Sequence, residues 1–119
     1  MRIWLTLAAI LGFVCVALGA FAAHGLADPQ AQNLMRTGAE YGFLHVLGSL
    51  ACASLVRAGA KGARVVPPIF LAGAAIFTGT LAAMALGAPH WLGAITPIGG
   101  LLFLAGWATL AWSMRRLEI

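Results

Sequence analysis

Three polar side chains that could do chemistry, Glu40, Tyr41 and His45, lie within one short and otherwise apolar segment, residues 38–48. An imidazole and a carboxylate can relay protons or ligate a transition metal, and a phenol hydroxyl can hydrogen-bond beside them. Ionisable groups in apolar segments often mark paths for ions, protons or ligands. Histidine also hydrogen-bonds across membrane helices as a packing device. The sequence leaves a structural and a functional role for His45 equally open.

A helix through this segment places the polar residues on two different faces. Tyr41, His45 and Ser49 recur every four residues and therefore share one face. Glu40 lies about 100° around the helix from Tyr41 and stands one turn after Arg36. We therefore predict an interfacial ion pair between Arg36 and Glu40, with Tyr41 and His45 pointing into the protein.

Two further polar residues are predicted on the same side of the molecule. His24 ends the first apolar segment and Thr96 opens the last one. The predicted cluster in the outer half of the membrane comprises His24, Tyr41, His45 and Thr96. A closed hydrogen-bonded network there would rigidify the protein, whereas an open, hydrated cavity would support proton or metal handling. The closed network is the expected outcome.

The composition determines which elements position these residues. The chain is 62% hydrophobic and 8% charged, with a mean hydropathy of +0.98, whereas soluble domains carry about a quarter charged residues. A bilayer is the solvent in which this composition is stable. Four segments reach the length of about 20 residues that a spanning helix needs: residues 3–23, 37–56, 65–87 and 95–114. The sequence therefore predicts an all-α membrane protein, a bundle of four transmembrane helices forming one domain over residues 1–119.

The basic residues predict the orientation of these helices. Six of the seven Lys and Arg residues lie at the N-terminus, in the second connection and at the C-terminus: Arg2, Arg57, Lys61, Arg64, Arg115 and Arg116. Four spans place those three regions on one side, and positive residues mark the cytoplasmic side of short-looped membrane proteins. Both termini are therefore expected in the cytoplasm. No nucleic-acid partner is expected, because the basic residues are spread along the chain.

Small residues recur at four-residue spacing along the predicted helices. Helices in lipid associate through close contact between small side chains. The third segment carries Ala75, Gly79, Ala83 and Gly87 in strict register. The other residues predicted to pack helices are Gly12, Gly19, Gly38, Gly42, Gly48, Gly99 and Gly100. This surface predicts a tight bundle and a further interface; a genome biased towards alanine and glycine is the alternative explanation.

Four ordered motifs together resemble one known family. ALGAFAAHGL (17–26), TGAEYGFLH (37–45), FTGTLAAMAL (77–86) and ITPIGGLLFLAGW (95–107) resemble the YgdD-like small membrane proteins, domain of unknown function 423, which include eukaryotic proteins named transmembrane protein 256. Ala22 departs from the glycine expected in the family. The resemblance implies a four-helix protein of the bacterial inner membrane, with mitochondrial relatives, and implies no established reaction. It places His24, Tyr41, His45, Thr96, Pro97, Gly99 and Gly100 in the family's motif segments.

Two function classes compete, and a third ranks below them. The leading hypothesis is an accessory or structural subunit that associates with itself or with a larger membrane complex; the mitochondrial relatives point to a respiratory one. The rival is a small transporter or a proton- or metal-handling protein using His24, Tyr41, His45 and Glu40. An enzyme ranks third, because no activated nucleophile or complete metal-ligand set is visible in the sequence. No cofactor and no bound metal are therefore expected.

Overall fold

The chain consists of four long helices joined by short connections. In a computed structural model that describes residues 1–119, the helices are α1 (Arg2–His24), α2 (Pro29–Arg57), α3 (Val66–Ala85) and α4 (Thr96–Met114). Short 3₁₀ turns at Lys61–Val65 and His90–Ala94 precede α3 and α4. Each helix, extended by its 3₁₀ turn where one is present, is long and apolar enough to cross a membrane. The prediction of an all-α protein with four transmembrane helices is confirmed.

Local sequence signals account for the helix boundaries. The Asp28 carboxylate accepts a hydrogen bond from the Ala31 backbone N–H at 3.0 Å, and Pro29 occupies the first position of α2. This cap starts α2 well before the apolar segment that was predicted to span the membrane. Gly87 follows α3 with a φ of +105°, a left-handed conformation that ends the helix at little cost for glycine.

The helices pack mainly against their neighbours in sequence. α2 and α3 form the centre; α1 packs on α2 and along a shorter contact on α3, and α4 packs on α3. Both termini and the α2–α3 connection meet at one end of the molecule, where the Glu118 N–H donates to the Ala58 carbonyl at 2.8 Å. The large apolar side chains of the outer helices face outward; Phe13 on α1, for example, is 78% exposed. In a bilayer these side chains contact lipid.

Several of the predicted glycines bring helix backbones together. A Cβ atom on Gly42 would lie 2.5 Å from Thr78 Oγ1 and 2.8 Å from Cys15 Sγ, so only glycine fits between α1 and α3. One turn away, Thr78 Oγ1 donates to the Gly38 carbonyl at 2.6 Å and ties α3 to α2. At Gly99 a Cβ would lie 2.6 Å from the Gly73 carbonyl oxygen, so the backbones of α4 and α3 approach closely here.

The remaining predicted packing glycines differ in how tightly they are packed. A Cβ on Gly48 would lie 2.9 Å from the Phe70 ring, and one on Gly12 would lie 3.3 Å from Val46. Gly19 makes only ordinary contact, with a Cβ position 3.9 Å from that of Ala39. The packing role is therefore strong at Gly48, moderate at Gly12 and weak at Gly19.

A stripe of small residues runs along α3 and just beyond its end: Ala75, Gly79, Ala83 and Gly87. This α3 stripe does not pack within the chain, contrary to the prediction of a tight bundle through this face. Ala75 and Gly79 are exposed and Ala83 is half-buried. No atom lies within 4 Å of a Cβ position at Gly79, Gly87 or Gly100. The reason is the rotation of α3, which directs Thr78 and Leu81 towards α2. The stripe therefore lies on the opposite, outward face.

Candidate functional site

The imidazole of His45 lies buried among aromatic rings inside the membrane-spanning part of the molecule. Its side chain is 5% exposed. The ring stacks on Phe103 of α4 with centroids 3.5 Å apart and planes 6° from parallel. Phe70 of α3 approaches it edge-on at 4.9 Å and 80°. Three helices therefore enclose this one ring.

Both ring nitrogens of His45 have a partner, and the partners determine the tautomer. Trp107 Nε1 donates to His45 Nε2 at 2.9 Å. An indole N–H can only donate, so Nε2 must present a lone pair. Nδ1 lies 2.6 Å from the Tyr41 carbonyl oxygen, which can only accept, so Nδ1 must carry the proton. His45 is therefore a neutral imidazole protonated on Nδ1, with no free nitrogen for a metal or a second proton.

The polar groups around this ring are also satisfied. Ser49 Oγ donates to the His45 carbonyl at 2.8 Å, and Cys52 Sγ lies 3.2 Å from the Gly48 carbonyl. No buried side-chain nitrogen or oxygen in the chain lacks a hydrogen-bond partner. Cys15 and Cys52 are buried free thiols. Every buried polar side chain thus has its hydrogen-bond partner within the chain.

The four residues predicted to form one polar cluster do not meet. His24 is exposed at the end of α1. Thr96 bonds to Thr80, with 2.6 Å between the hydroxyl oxygens. His45 instead lies at the level of Trp107, which is 11 residues and therefore about 16 Å along α4 from Thr96. The prediction that His45 points into the bundle is correct, but its expected partners are wrong.

Tyr41 and the predicted ion pair lie at the outer surface of α2. Tyr41 is 47% exposed and packs its ring on Phe77, with centroids 5.4 Å apart. Arg36 and Glu40 are both exposed one turn apart, and the structure contains no ion pair between them within 4.0 Å. An exposed pair of this kind gains little, because water and lipid headgroups solvate each charge separately. Of the polar residues in residues 36–45, only His45 is buried.

A known protein family matches the part of the chain that contains these residues. The family model described as "Protein of unknown function (DUF423)" matches residues 18–100, which include His24, Tyr41, His45 and Thr96. The chain belongs to the DUF423 family. This confirms the resemblance drawn from the four motifs.

Relatives of this DUF423 chain cover almost its whole length. A "UPF0382 membrane protein" of Haemophilus influenzae is 46% identical over 112 residues, 92% of this chain and 90% of the relative. The "UPF0382 inner membrane protein YgdD" of Escherichia coli K12 is 37% identical over 121 residues, 98% and 92% of the two chains. A "UPF0382 membrane protein" of Schizosaccharomyces pombe is 36% identical over 119 residues, 92% and 98%. No solved structure matches the chain.

These relatives and the four spanning helices agree on where the DUF423 chain resides. It is a small, multi-pass integral protein of the bacterial inner membrane, in contact with the lipid bilayer. The orientation of its termini relative to the cytoplasm stays a prediction from the basic residues.

Sequence reasoning missed the partners of His45 in this DUF423 chain. Trp107, Phe70 and Phe103 were not among the predicted site residues. One signal was present: a deep indole N–H needs an acceptor, and His45 is one of the few side chains that can supply one. No group of three His, Cys, Asp or Glu side chains is placed to hold a metal ion. The arrangement joins α2 to α4 through the hydrogen bond from Trp107 to His45 and the stack of His45 on Phe103.

Proposed function

We propose that this DUF423 chain is a non-enzymatic accessory subunit of the inner membrane, which associates through the outward face of α3 with a second copy or with a helix of a larger membrane complex. The observation that carries the proposal is the open small-residue stripe formed by Ala75, Gly79, Ala83 and Gly87. Nothing in the chain lies within 4 Å of a Cβ position at Gly79.

The chemistry of this stripe suits helix association in lipid. Helices in membranes gain little from hydrophobicity and associate where small side chains let their backbones approach. The same chain uses this device internally, at Gly42 between α1 and α3 and at Gly99 between α4 and α3. The α3 stripe has the same residue types and spacing but no partner within the chain. An external helix would complete it.

The His45 site supports a structural role over the rival function of proton or metal handling. A proton relay needs a nitrogen that can gain or lose its proton, and a metal site needs a free lone pair. Both nitrogens of His45 are engaged, by Trp107 Nε1 at 2.9 Å and the Tyr41 carbonyl at 2.6 Å. In this arrangement the imidazole is a cross-link between helices.

The test compares two glycines whose Cβ positions both lack neighbours in the single chain. Gly79→Leu fills the α3 stripe, whereas Gly100→Leu adds the same side chain on α4; neither Cβ position has an atom within 4 Å. Mild detergent extracts of both variants and the parent are analysed by size-exclusion chromatography with light scattering. We expect Gly79→Leu alone to lose the larger assembly while keeping the thermal stability of the monomer. A parent chain that is monomeric, or an assembly that both variants retain, contradicts the proposal.

A further inference from the structure

A polar pocket with an excess of positive charge lies at the end of the molecule that carries both termini. It is formed between the 3₁₀ turn Lys61–Val65 and the C-terminal end of α4, with a volume of about 420 Å³. Its polar and aromatic lining side chains are Lys61, Trp112, Ser113, Arg115, Arg116 and Glu118. Neither the His45 site nor the α3 stripe uses any of them.

The backbone holds the walls of this pocket in place. Glu118 N–H donates to the Ala58 carbonyl at 2.8 Å, which ties the chain after α4 to the chain after α2. Gly59 adopts a φ of +111° there, and a Cβ on it would lie 2.8 Å from the Arg116 carbonyl oxygen. On the other wall, a Cβ on Gly62 would lie 2.6 Å from Ser113 Oγ. The pocket is therefore shaped by close backbone contacts and needs no ligand to form.

The charges in the pocket favour an anion. Lys61, Arg115 and Arg116 contribute three positive charges and Glu118 one negative charge, which leaves a formal charge of +2. The Arg115 guanidinium carbon lies 3.8 Å from the ring centroid of Trp112, so this cation is held over an aromatic face. Guanidinium and ammonium groups bind phosphate oxygens through charge-assisted hydrogen bonds.

The position of the pocket indicates that the phosphate belongs to a lipid headgroup. The pocket lies where α4 ends, and Trp112, which is 66% exposed, has the amphipathic ring typical of the membrane–water interface. Phospholipid headgroups occupy this depth, and basic pockets between transmembrane helices bind anionic ones. We infer that this pocket binds the phosphate headgroup of an anionic phospholipid, with Lys61 and Arg116 on the phosphate and Arg115 held beside it by Trp112.

The experiment uses the full-length chain purified in mild detergent. Native mass spectrometry measures lipid adducts formed with phosphatidylglycerol and with phosphatidylethanolamine of identical acyl chains. We expect a preference for phosphatidylglycerol that Lys61→Gln/Arg116→Gln abolishes, because the double substitution lowers the formal charge of the pocket from +2 to zero and removes both charged donors to the phosphate. Glu118→Gln removes the opposing charge and should tighten the binding of phosphatidylglycerol.

The matched control removes two charges from the same end of the molecule. Arg57 and Arg64 are exposed there but do not line the pocket. Arg57→Gln/Arg64→Gln should keep the preference, and all variants should unfold thermally at the temperature of the parent chain. An equal loss in this control, equal binding of both lipids, or weaker binding in Glu118→Gln overturns the inference. Displacement of the lipid by equimolar glycerol 1-phosphate would assign the pocket to a soluble phosphate instead and overturn the lipid assignment.

Discussion

The indole Nε1–H of Trp107 donates to Nε2 of His45 across 2.9 Å, joining α4 to α2 although these two helices pack on α3 and hardly on each other. This bond fixes the imidazole as the tautomer protonated on Nδ1, because the indole cannot accept. It also accounts for the polar segment around His45. The histidine is held between aromatic rings as a link between helices, while Glu40 and Tyr41 lie at the outer surface of α2.

Removing the indole N–H of Trp107 should lower the free energy of unfolding while an aromatic ring still packs beside His45. Trp107→Phe keeps an aromatic ring beside His45 and Phe70 but removes the N–H. Hydrogen bonds between membrane helices contribute about 0.6 kcal/mol on average and at most about 1.7 kcal/mol. We expect a loss of free energy of unfolding in that range, measured by denaturant titration in detergent micelles.

The control for this substitution is Trp91→Phe, at a 65% exposed ring whose indole N–H has no partner within the chain. It should leave the free energy of unfolding unchanged. Equal stability of Trp107→Phe and the parent would show that the 2.9 Å bond contributes nothing.

Gly42 should tolerate no side chain. An added Cβ would lie 2.5 Å from Thr78 Oγ1 and 2.8 Å from Cys15 Sγ, so Gly42→Ala must displace α1 or break the bond from Thr78 to Gly38. Overpacking of this kind costs about 1–3 kcal/mol. Thermal unfolding followed by circular dichroism should show a clear drop in the midpoint for Gly42→Ala.

The same methyl group placed on the outward face provides the comparison. Gly79→Ala adds a Cβ where no atom lies within 4 Å, and it should not lower the unfolding midpoint. Similar losses in both alanine variants would contradict the assignment of Gly79 to an outward face of α3.

The orientation in the membrane can be tested with single cysteines. Lys61 and His90 are exposed at opposite ends of the molecule, and the excess of basic residues places the Lys61 end in the cytoplasm. In a chain whose two native cysteines are replaced by serine, a membrane-impermeant maleimide added to intact cells should label His90→Cys and not Lys61→Cys. Permeabilised cells, in which both should react, show that each thiol is reactive. Labelling of Lys61→Cys in intact cells contradicts the orientation.

The sequence was sufficient for the helices but not for their rotation. Asp28 and Pro29 form a helix-start signal that lies at the beginning of α2, and the long apolar segments predicted the spans. The face of α3 was predicted wrongly, since in lipid both the packed and the exposed faces of a helix are apolar, and spacing alone does not say which face turns inward. Thr78 and Leu81 turn inward, and Gly79 between them turns outward.

The partner of His45 could not be derived for a related reason. The spacing of Tyr41, His45 and Ser49 predicted one inward face of α2. His45 and Ser49 are buried as expected, but Tyr41 is 47% exposed, so the prediction was wrong for Tyr41. Which residue of α4 meets that face depends on the axial offset of the two helices. The contact of Gly99 with Gly73 sets that offset through α3, and it places Phe103 and Trp107 opposite the imidazole.

The protonation state of the His45 ring is the most direct test of a closed, structural site. Solid-state NMR on the chain in lipid bilayers, with ¹⁵N-labelled histidine and tryptophan, reports which ring nitrogen carries hydrogen and whether Trp107 Nε1 couples to His45 Nε2 through the hydrogen bond. We expect a neutral ring protonated on Nδ1, with a measurable coupling between those two nitrogens. A ring protonated on Nε2, or on both nitrogens, would contradict the account, because Trp107 would then have no acceptor and His45 would hold a proton available for transfer.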